Sequence, residues 1–200
     1  EVECDETYVG GRESNKHESQ KTEGTQGRSL KTKTAVFGMV ERNGNVVAQK
    51  VENTKSATLM PIIYQFVKEG SRVFTDEYIG YKSLRESEVF SHCFVSHKDK
   101  EFVNGDIYTN TIEGFWGQFK RMIMGVYHFI SAKYMQRYID EAVFRYNTAY
   151  KTEGERFQRM FSKHIILLCH KKPMSAAEIA EELNVPTLYV EEELEILRRG

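Results

Sequence analysis

The chain has 200 residues, of which 40% are hydrophobic and 12% aromatic, and its formal net charge at pH 7 is −1. This length allows one domain, or one domain with a small appendage, and the hydrophobic fraction suffices for a packed core. Because the sequence contains no apolar run of about 18 residues and no signal peptide, we expect neither a membrane protein nor a secreted one. The small net charge argues against nucleic-acid binding without excluding it, since local basic clusters determine phosphate affinity.

The first part of the chain has the pattern of β-strands. Residues 2–9 predict a strand, and the polar residues 11–33 predict a mobile loop. Two apolar runs, residues 34–41 and 45–51, flank Asn43-Gly44. This dipeptide is typical of a tight hairpin turn, so we predict an antiparallel strand pair.

Helical and extended patterns alternate in the middle of the chain. Residues 56–69 carry apolar side chains at helical spacing. Residues 72–75 predict a short strand that places Asp76 at its end, residues 78–86 predict a helix, and residues 89–95 predict another strand.

Two helices are predicted next. Thr109 or Asn110 could cap a helix that ends at Gly125, and Ser131 is expected to cap a long helix that runs to about residue 150. The resulting order, β-β-β-α-β-α-β-α-α, is that of the ribonuclease H-like fold, an α/β architecture in which helices cover a mixed sheet. We predict this domain at residues 1–152.

Residues 153–200 differ in character and predict a small helical tail. A helix is predicted at residues 157–169, a capping box at Ser175 opens a short helix, and Pro186 marks a turn before a helix at residues 187–199. This layout resembles a winged helix-turn-helix module cut off before its wing. The predicted packing residues are Ile165, Leu168, Ile179, Leu183, Leu194 and Leu197. Because Glu191, Glu192, Glu193 and Glu195 are predicted to face outward, a protein-contact role is favoured over DNA reading.

The three cysteines, Cys4, Cys93 and Cys169, are widely spaced and form no Cys-x-x-Cys pair. Neither a disulfide framework nor a zinc ribbon is predicted. This usage fits a reducing compartment, so we expect a cytoplasmic protein.

Three acidic residues fall where the predicted fold brings carboxylates together: Asp5 on the first strand, Asp76 at the end of the fourth, and Glu113 on a late helix. Three converging carboxylates can hold two divalent metal ions, which can promote attack on a phosphodiester from the entering and the leaving side. Any one of them alone is more typical of a solvated strand end. Their combination in this order favours a catalytic site.

Lys120 follows Glu113 by seven residues, which on a helix is about two turns, or roughly 10 Å, along one face. A cation there could bind a DNA phosphate next to the scissile one. We assign the neighbouring Arg121 to the same interface. Trp116 lies on this face too, and it either contacts DNA or packs in the core.

Basic residues are in excess near the predicted loop, because residues 10–55 carry nine Lys or Arg against five Glu. We expect Lys16, together with Lys21 and Arg28, to bind DNA phosphates.

Four further polar residues are candidates for supporting roles. His97 and His128 could each orient a water or a phosphate, although a hydrogen-bonded structural histidine is more common. Arg145 and Asn147 could brace the site from the long helix, or could serve in helix packing.

The chain resembles the DDE-type transposases of bacterial insertion sequences, of the ISXO2-like group, over about residues 1–150. The segments that carry the resemblance are Asp5 to Gly11 (DETYVGG), Asn15 to His17 (NKH), Thr75-Asp76, Thr109 to Trp116 (TNTIEGFW), Lys120 and Phe144 to Asn147 (FRYN). The resemblance implies a ribonuclease H-like catalytic domain that uses two Mg²⁺ or Mn²⁺ ions to cut and join DNA at element ends and target. It also implies a homo-oligomer in the synapsed complex. Family members usually carry a zinc-ribbon or helix-turn-helix region ahead of this domain, so we expect a fragment of a longer protein.

Two residues are candidates for the third metal-binding position. The 36 residues between Asp76 and Glu113 are typical of the family's spacing. Some members use an asparagine as the third residue, which makes Asn110 an alternative. Because Gly117, not a basic residue, stands seven positions after Asn110, we favour Glu113.

Two other functions stay open at this level. The first is a nuclease of the same fold that cuts but does not join, since it would share the active site. The second is a non-catalytic DNA- or protein-binding regulator that acts through its tail and carries vestigial carboxylates. The presence of all three carboxylates together with Lys120 argues against the second.

Overall fold

A computed structural model describes residues 1–10, 17–22, 29–95 and 107–199. The chain divides into two compact units, Glu1–Asn147 and Thr148–Gly200. In the part of the chain that the structure describes, no helix has the length and apolarity needed to cross a membrane.

The described residues of the first unit contain a mixed five-stranded sheet with the order β3-β2-β1-β4-β5. β1 pairs antiparallel with β2 and β2 with β3, whereas β4 pairs parallel with both β1 and β5. The strands are β1 (Val2–Gly10), β2 (Lys33–Glu41), β3 (Val46–Val51), β4 (Arg72–Thr75) and β5 (Ser91–Phe94).

The β2–β3 connection is the predicted hairpin. Asn43 has a φ of 61°, a left-handed conformation that asparagine adopts more readily than most residues. The backbone amide of Glu41 donates to the carbonyl of Asn45 at 3.0 Å, which closes the turn. The dipeptide signal therefore identified both the turn and the pairing of its strands.

Helices cover both faces of this sheet. The helical segments are α1 (Ser56–Phe66), a 3₁₀ segment (Ile79–Glu86), α2 (Asn110–Met122) and α3 (Met135–Asn147). Alternate residues of β2 point to opposite sides: Val36 and Val40 pack with α2 and α3, while Phe37 and Met39 pack with α1 and the 3₁₀ segment. The predicted α/β architecture with a ribonuclease H-like arrangement is confirmed.

The helix predicted at residues 78–86 is present and winds as a 3₁₀ helix. Two other predicted helix details are wrong. Gly125 does not end α2, because Ile123–Tyr127 continue it as a π-helical turn. Ser131 does not cap the next helix, which begins at Met135. The side chains of Ile123 and Ile130 are buried in the core and hold the segment between α2 and α3 in place. Their burial outweighs the helix stop signal at Gly125 and the helix start signal at Ser131.

Helix α3 also covers the outer edge of β3 with two amide side chains. Asn147 accepts a hydrogen bond from the backbone N–H of Val46 at 2.7 Å and donates to its carbonyl at 2.9 Å. Gln136 accepts from the backbone N–H of Lys50 at 2.8 Å and donates to the carbonyl of Ala48 at 3.5 Å. Side chains thus take the place that a sixth strand would occupy at these residues.

The second unit consists, in its described residues, of α4 (Glu153–Lys171), α5 (Ala176–Leu183) and α6 (Thr187–Arg199). Capping boxes open the first two, at Thr152 with Glu155 and at Ser175 with Glu178. The predicted packing residues are confirmed. They contribute to one apolar cluster formed by Ile165, Ile179, Ala180 and Val190, with Leu168, Leu183, Leu194 and Leu197 packed against it.

One of the four glutamates predicted to face outward does not. Glu193 is only 5% exposed, and its carboxylate accepts a hydrogen bond from the hydroxyl of Ser162 on α4. A buried carboxylate of this kind is tolerated because it has a donor. The other three, Glu191, Glu192 and Glu195, are exposed as predicted.

We expect Gly38→Ala to destabilise the first unit by about 1–3 kcal/mol, because a methyl group at position 38 would lie 2.6 Å from the indole ring of Trp116. Gly114→Ala is the matched control, since nothing lies within 4 Å of its added methyl group. In helix α2 that change should raise the free energy of unfolding by about 0.5–1 kcal/mol. Urea unfolding of the two variants should move the midpoint in opposite directions; equal shifts would contradict this packing.

Candidate active site

Strand register brings the two predicted aspartates to neighbouring positions. β1 and β4 are parallel, with Glu3 opposite Phe74. Two residues further along each strand lie Asp5 and Asp76, so they stand side by side where the ladder ends. Adjacent strands are about 4.8 Å apart, and residues in register on neighbouring strands point to the same face.

Helix α2 carries the third carboxylate over this point. Gly38 is the cross-strand partner of Asp5, and the indole ring of Trp116 lies directly against it. The absence of a side chain at position 38 lets the helix approach the sheet closely. Glu113 occupies the first turn of α2, is exposed, and accepts a hydrogen bond from the hydroxyl of Thr109 at 3.1 Å.

The electrostatics of Asp5 show that the acidic groups act on one another. Burial raises the pKa of Asp5 to about 8, and the negative charges of Glu6, Asp76 and, more weakly, Glu113 add to the increase. Asp76 and Glu113 therefore both lie within electrostatic reach of Asp5. Like charge accumulated in this way is typical of functional sites, including those that bind a cation.

The fit of these residues to divalent metal is incomplete in one respect. Carboxylate oxygens are the ligands that Mg²⁺ prefers, and Asp5 and Asp76 lie next to each other as a shared site requires. However, among the described residues no three Asp, Glu, His or Cys side chains are grouped so that they could hold a metal ion. The Glu113 carboxylate, held by Thr109, would have to rotate toward the aspartates to complete a three-ligand set.

A hydrogen-bonded chain supports Asp76 from the neighbouring strand. The carboxylate of Asp76 accepts from the backbone N–H of Tyr78 at 2.9 Å, and the hydroxyl of Thr75 donates to the Asp76 carbonyl at 2.7 Å. The Nε2 atom of His92 lies 2.9 Å from that hydroxyl. Burial, together with the charge of Arg85, lowers the pKa of His92 to about 4, so its ring is neutral near pH 7.

His92 is a residue that the motifs did not single out. Its signal in the sequence is its place in a short strand that pairs with β4, where it stands opposite Val73. Of the histidines that were considered, His97 lies outside the described residues. His128 ends the π-helical turn with a φ of 58°, and its ring contacts the carbonyl of Met124 at 3.1 Å.

The amino terminus of α2 is capped in an unexpected way. Thr109 occupies the N-cap position but makes no side-chain cap hydrogen bond, and Asn110 is already the first helical residue. The amides of Thr111 and Ile112 instead donate to the carboxylate of Glu3, at 2.8 and 3.1 Å. The predicted local cap is wrong because a strand residue supplies the acceptor.

The residues of α2 that the sequence assigned to DNA contact differ in their solvent exposure. Lys120 and Arg121 are exposed, as a role in phosphate binding requires. Trp116 is only 3% exposed and packs among Phe115, Phe119 and the sheet. Its assignment as a DNA contact is therefore wrong, and the alternative of core packing holds.

Of the basic residues in the predicted loop, Lys16 and Arg28 lie outside the described residues. Lys21 is described, and its ammonium group pairs with Glu18 at 2.5 Å on the surface. The prediction that this loop binds DNA stays a prediction.

The two candidate supporting residues on α3 make contacts away from the carboxylates. Arg145 pairs with Glu141 at 2.8 Å, one turn back on the same helix, and 67% of its side chain is exposed. Asn147 binds the backbone of Val46, as described above. Asn147 thus serves the packing of the helix on the sheet, whereas the printed contact of Arg145 is a surface ion pair within the helix.

A mixed sheet of this order, with one aspartate inside β1, a second directly after the parallel strand β4, and a glutamate on the helix above them, defines an α/β protein with a ribonuclease H-like domain. The model of the ISXO2-like transposase domain family matches residues 1–147, and the chain belongs to this family.

Two relatives agree with this assignment. An uncharacterized transposase-like protein of Haemophilus influenzae is 36% identical over 99 residues, which cover 50% of this chain and 78% of that protein. An uncharacterized protein in transposable element ISH50 of Halobacterium salinarum is 32% identical over 121 residues, which cover 56% of this chain and 40% of that protein.

We expect Asp5→Asn to stabilise the metal-free protein at alkaline pH. The folded state raises the pKa of Asp5 from 3.8 to about 8, so it holds a proton that the unfolded chain releases. The stability that this proton contributes is complete below pH 3.8 and is lost as the pH rises toward and through about 8. Urea unfolding in EDTA between pH 5 and pH 9 should show a smaller decline for the variant than for the wild type.

The control for this experiment is Glu69→Gln, which removes an exposed carboxylate in the same unit. Its decline with pH should match that of the wild type. Parallel wild-type and Asp5→Asn curves would contradict the burial and repulsion described at Asp5.

Proposed function

We propose that this chain is the catalytic domain of a DDE transposase, which cuts DNA at the ends of an insertion sequence and joins them to a target with the help of divalent metal. The observation that carries the proposal is the placement of Asp5 beside Asp76 at the end of the β1–β4 ladder, with Glu113 within electrostatic reach. Membership of the ISXO2-like transposase domain family supports it.

The chemistry consists of two displacements at phosphorus. In the first, the oxygen of water bonds to the scissile phosphorus and the 3′ oxygen leaves as a hydroxyl. In the second, that 3′ hydroxyl attacks a target phosphodiester, loses its proton, and expels the target's 3′ oxygen. Two bound Mg²⁺ or Mn²⁺ ions would activate the attacking oxygen and neutralise the charge on the departing one.

Each of the three carboxylates has a distinct part in this proposal. Asp5 and Asp76 would hold the metal from the rigid sheet, where strand pairing limits their movement. Glu113 would complete the site from the helix. Its exposed position on the first turn leaves its side chain free to exchange the Thr109 hydrogen bond for a ligand position.

Helix α2 would also lie along the DNA backbone. Glu113, Lys120 and Arg121 are all exposed on it, and Lys120 stands about two turns beyond Glu113. A cation at this distance would bind a phosphate adjacent to the scissile one.

We expect Asp76→Asn and Glu113→Gln to lower the rate of end cleavage by several orders of magnitude while the protein stays folded, because each removes a metal ligand. Asn110→Ala should leave the rate within about threefold, since Asn110 is an exposed first-turn residue. A labelled oligonucleotide that carries the element end would report cleavage and strand transfer together.

Three outcomes of that assay are informative. Full activity of Asp76→Asn would refute the metal site. A larger loss for Asn110→Ala than for Glu113→Gln would move the third ligand to Asn110. Cleavage by the wild type without any joined product would point to a nuclease of the same fold.

We expect Lys120→Ala to weaken DNA binding and to reduce the slope of log affinity against log salt by about one, because one phosphate contact is lost. The control is Lys68→Ala, an exposed lysine that follows α1 on the opposite side of the sheet. Filter binding or anisotropy at several salt concentrations would measure both slopes. An unchanged slope for Lys120→Ala would remove this residue from the interface.

A further inference from the structure

A carboxylate with no solvent exposure lies one pleat away from the predicted site. Glu3 precedes Asp5 by two residues on β1, so the two side chains point to the same face of the sheet. Glu3 is 0% exposed. The charge of a buried carboxylate is tolerated only when partners compensate for the lost hydration, so its contacts indicate which segments must stay together.

Four donors surround the Glu3 carboxylate. Its Oε1 atom accepts from Nε of Arg42 at 2.8 Å and from the hydroxyl of Thr111 at 2.9 Å. Its Oε2 atom accepts from the backbone N–H groups of Thr111 at 2.8 Å and Ile112 at 3.1 Å. Glu3 is thus both an ion-pair partner and the cap of helix α2, whose first amides favour a negative charge.

The partner of Glu3 is held as firmly as Glu3 itself. The side chain of Arg42 is 8% exposed, and its guanidinium lies over the ring of Phe74 at 3.9 Å and over that of Tyr108 at 3.7 Å. It also donates to the backbone carbonyl of Tyr108 at 2.9 Å. Arg42 therefore joins β4 and the segment before α2 to the strand that carries Glu3.

The three segments tied together are those that carry the proposed metal ligands. Each ligand follows a residue of this network by two positions: Asp5 follows Glu3, Asp76 follows Phe74, and Glu113 follows Thr111. We propose that Glu3 and Arg42 are positioning residues, whose buried ion pair holds β1, β4 and the start of α2 at the spacing that the metal ligands require. This proposal rests on the proposed function, because it assigns the pair a part in the same site.

The decisive variant is Glu3→Gln, which keeps the size of the side chain but replaces one acceptor oxygen by an NH₂ group. This NH₂ group is itself a donor, so it cannot accept the hydrogen bonds that the surrounding donors make to Glu3. Leu59→Ala is the matched control: Leu59 is 0% exposed on α1, on the opposite face of the sheet, so its loss destabilises the unit without touching the network. Both variants would be studied at a temperature where each is folded by near-ultraviolet circular dichroism.

Glu3→Gln should lower the kcat of end cleavage by about 100-fold, because displacement of a catalytic group by about 1 Å has effects of this size. It should also raise the Mg²⁺ concentration for half-maximal activity, whereas Leu59→Ala should change neither by more than about twofold. Arg42→Lys, which keeps the charge but loses the planar fork and the stacking, should resemble Glu3→Gln. A Glu3→Gln variant with the kcat and metal requirement of Leu59→Ala would overturn the proposal.

A readout without DNA separates this proposal from the proposed function. Mg²⁺ should raise the unfolding midpoint of the wild type and of Leu59→Ala, but should shift that of Glu3→Gln much less. Hydrogen exchange at the amides of Thr111 and Ile112 should be faster in Glu3→Gln only. If Asp76→Asn stays active, the proposed function fails; if Asp76→Asn is inactive while Glu3→Gln behaves like Leu59→Ala in these readouts, the positioning role alone fails.

Discussion

The buried ion pair between Glu3 and Arg42 lies where a strand, a hairpin end, a second strand and a helix start meet. A carboxylate removed from water loses hydration worth several kcal/mol, and only well-placed donors compensate for that loss. The backbone of α2 and the guanidinium of Arg42 supply those donors. The folding of the unit and the convergence of its acidic residues are therefore coupled, because the same contacts serve both.

The features that sequence could predict are those decided by neighbouring residues. The Asn43-Gly44 turn, the strand that ends before Asp76 and the capping box at Ser175 each depend on side chains within a few positions. The order of these elements was sufficient to infer the fold, and the fold in turn indicated that Asp5 and Asp76 would be adjacent. Strand order therefore predicted the adjacency of two of the three acidic residues.

The features that sequence missed depend on distant partners. The acceptor that caps α2 lies 108 residues before Thr111, whose amide donates to it, so a local search stops at Thr109. Trp116 and Lys120 have similar helical phase, and only the position of Gly38 on a different strand shows that the indole must pack inward. Glu193 is buried because Ser162 faces it from another helix. How closely Glu113 approaches the aspartates depends on its side-chain rotamer, which no spacing rule determines.

The amide side chains that α3 places along β3 have a consequence for self-association. An uncovered edge strand offers its backbone groups to any extended chain, which is a common route to aggregation and domain swapping. Asn147 already binds the N–H and C=O groups of Val46, and Gln136 binds the N–H of Lys50 and the C=O of Ala48. Strand addition at this edge would first have to displace a helix that is packed into the core. Helix α3 therefore keeps this strand from serving as a template for non-native pairing.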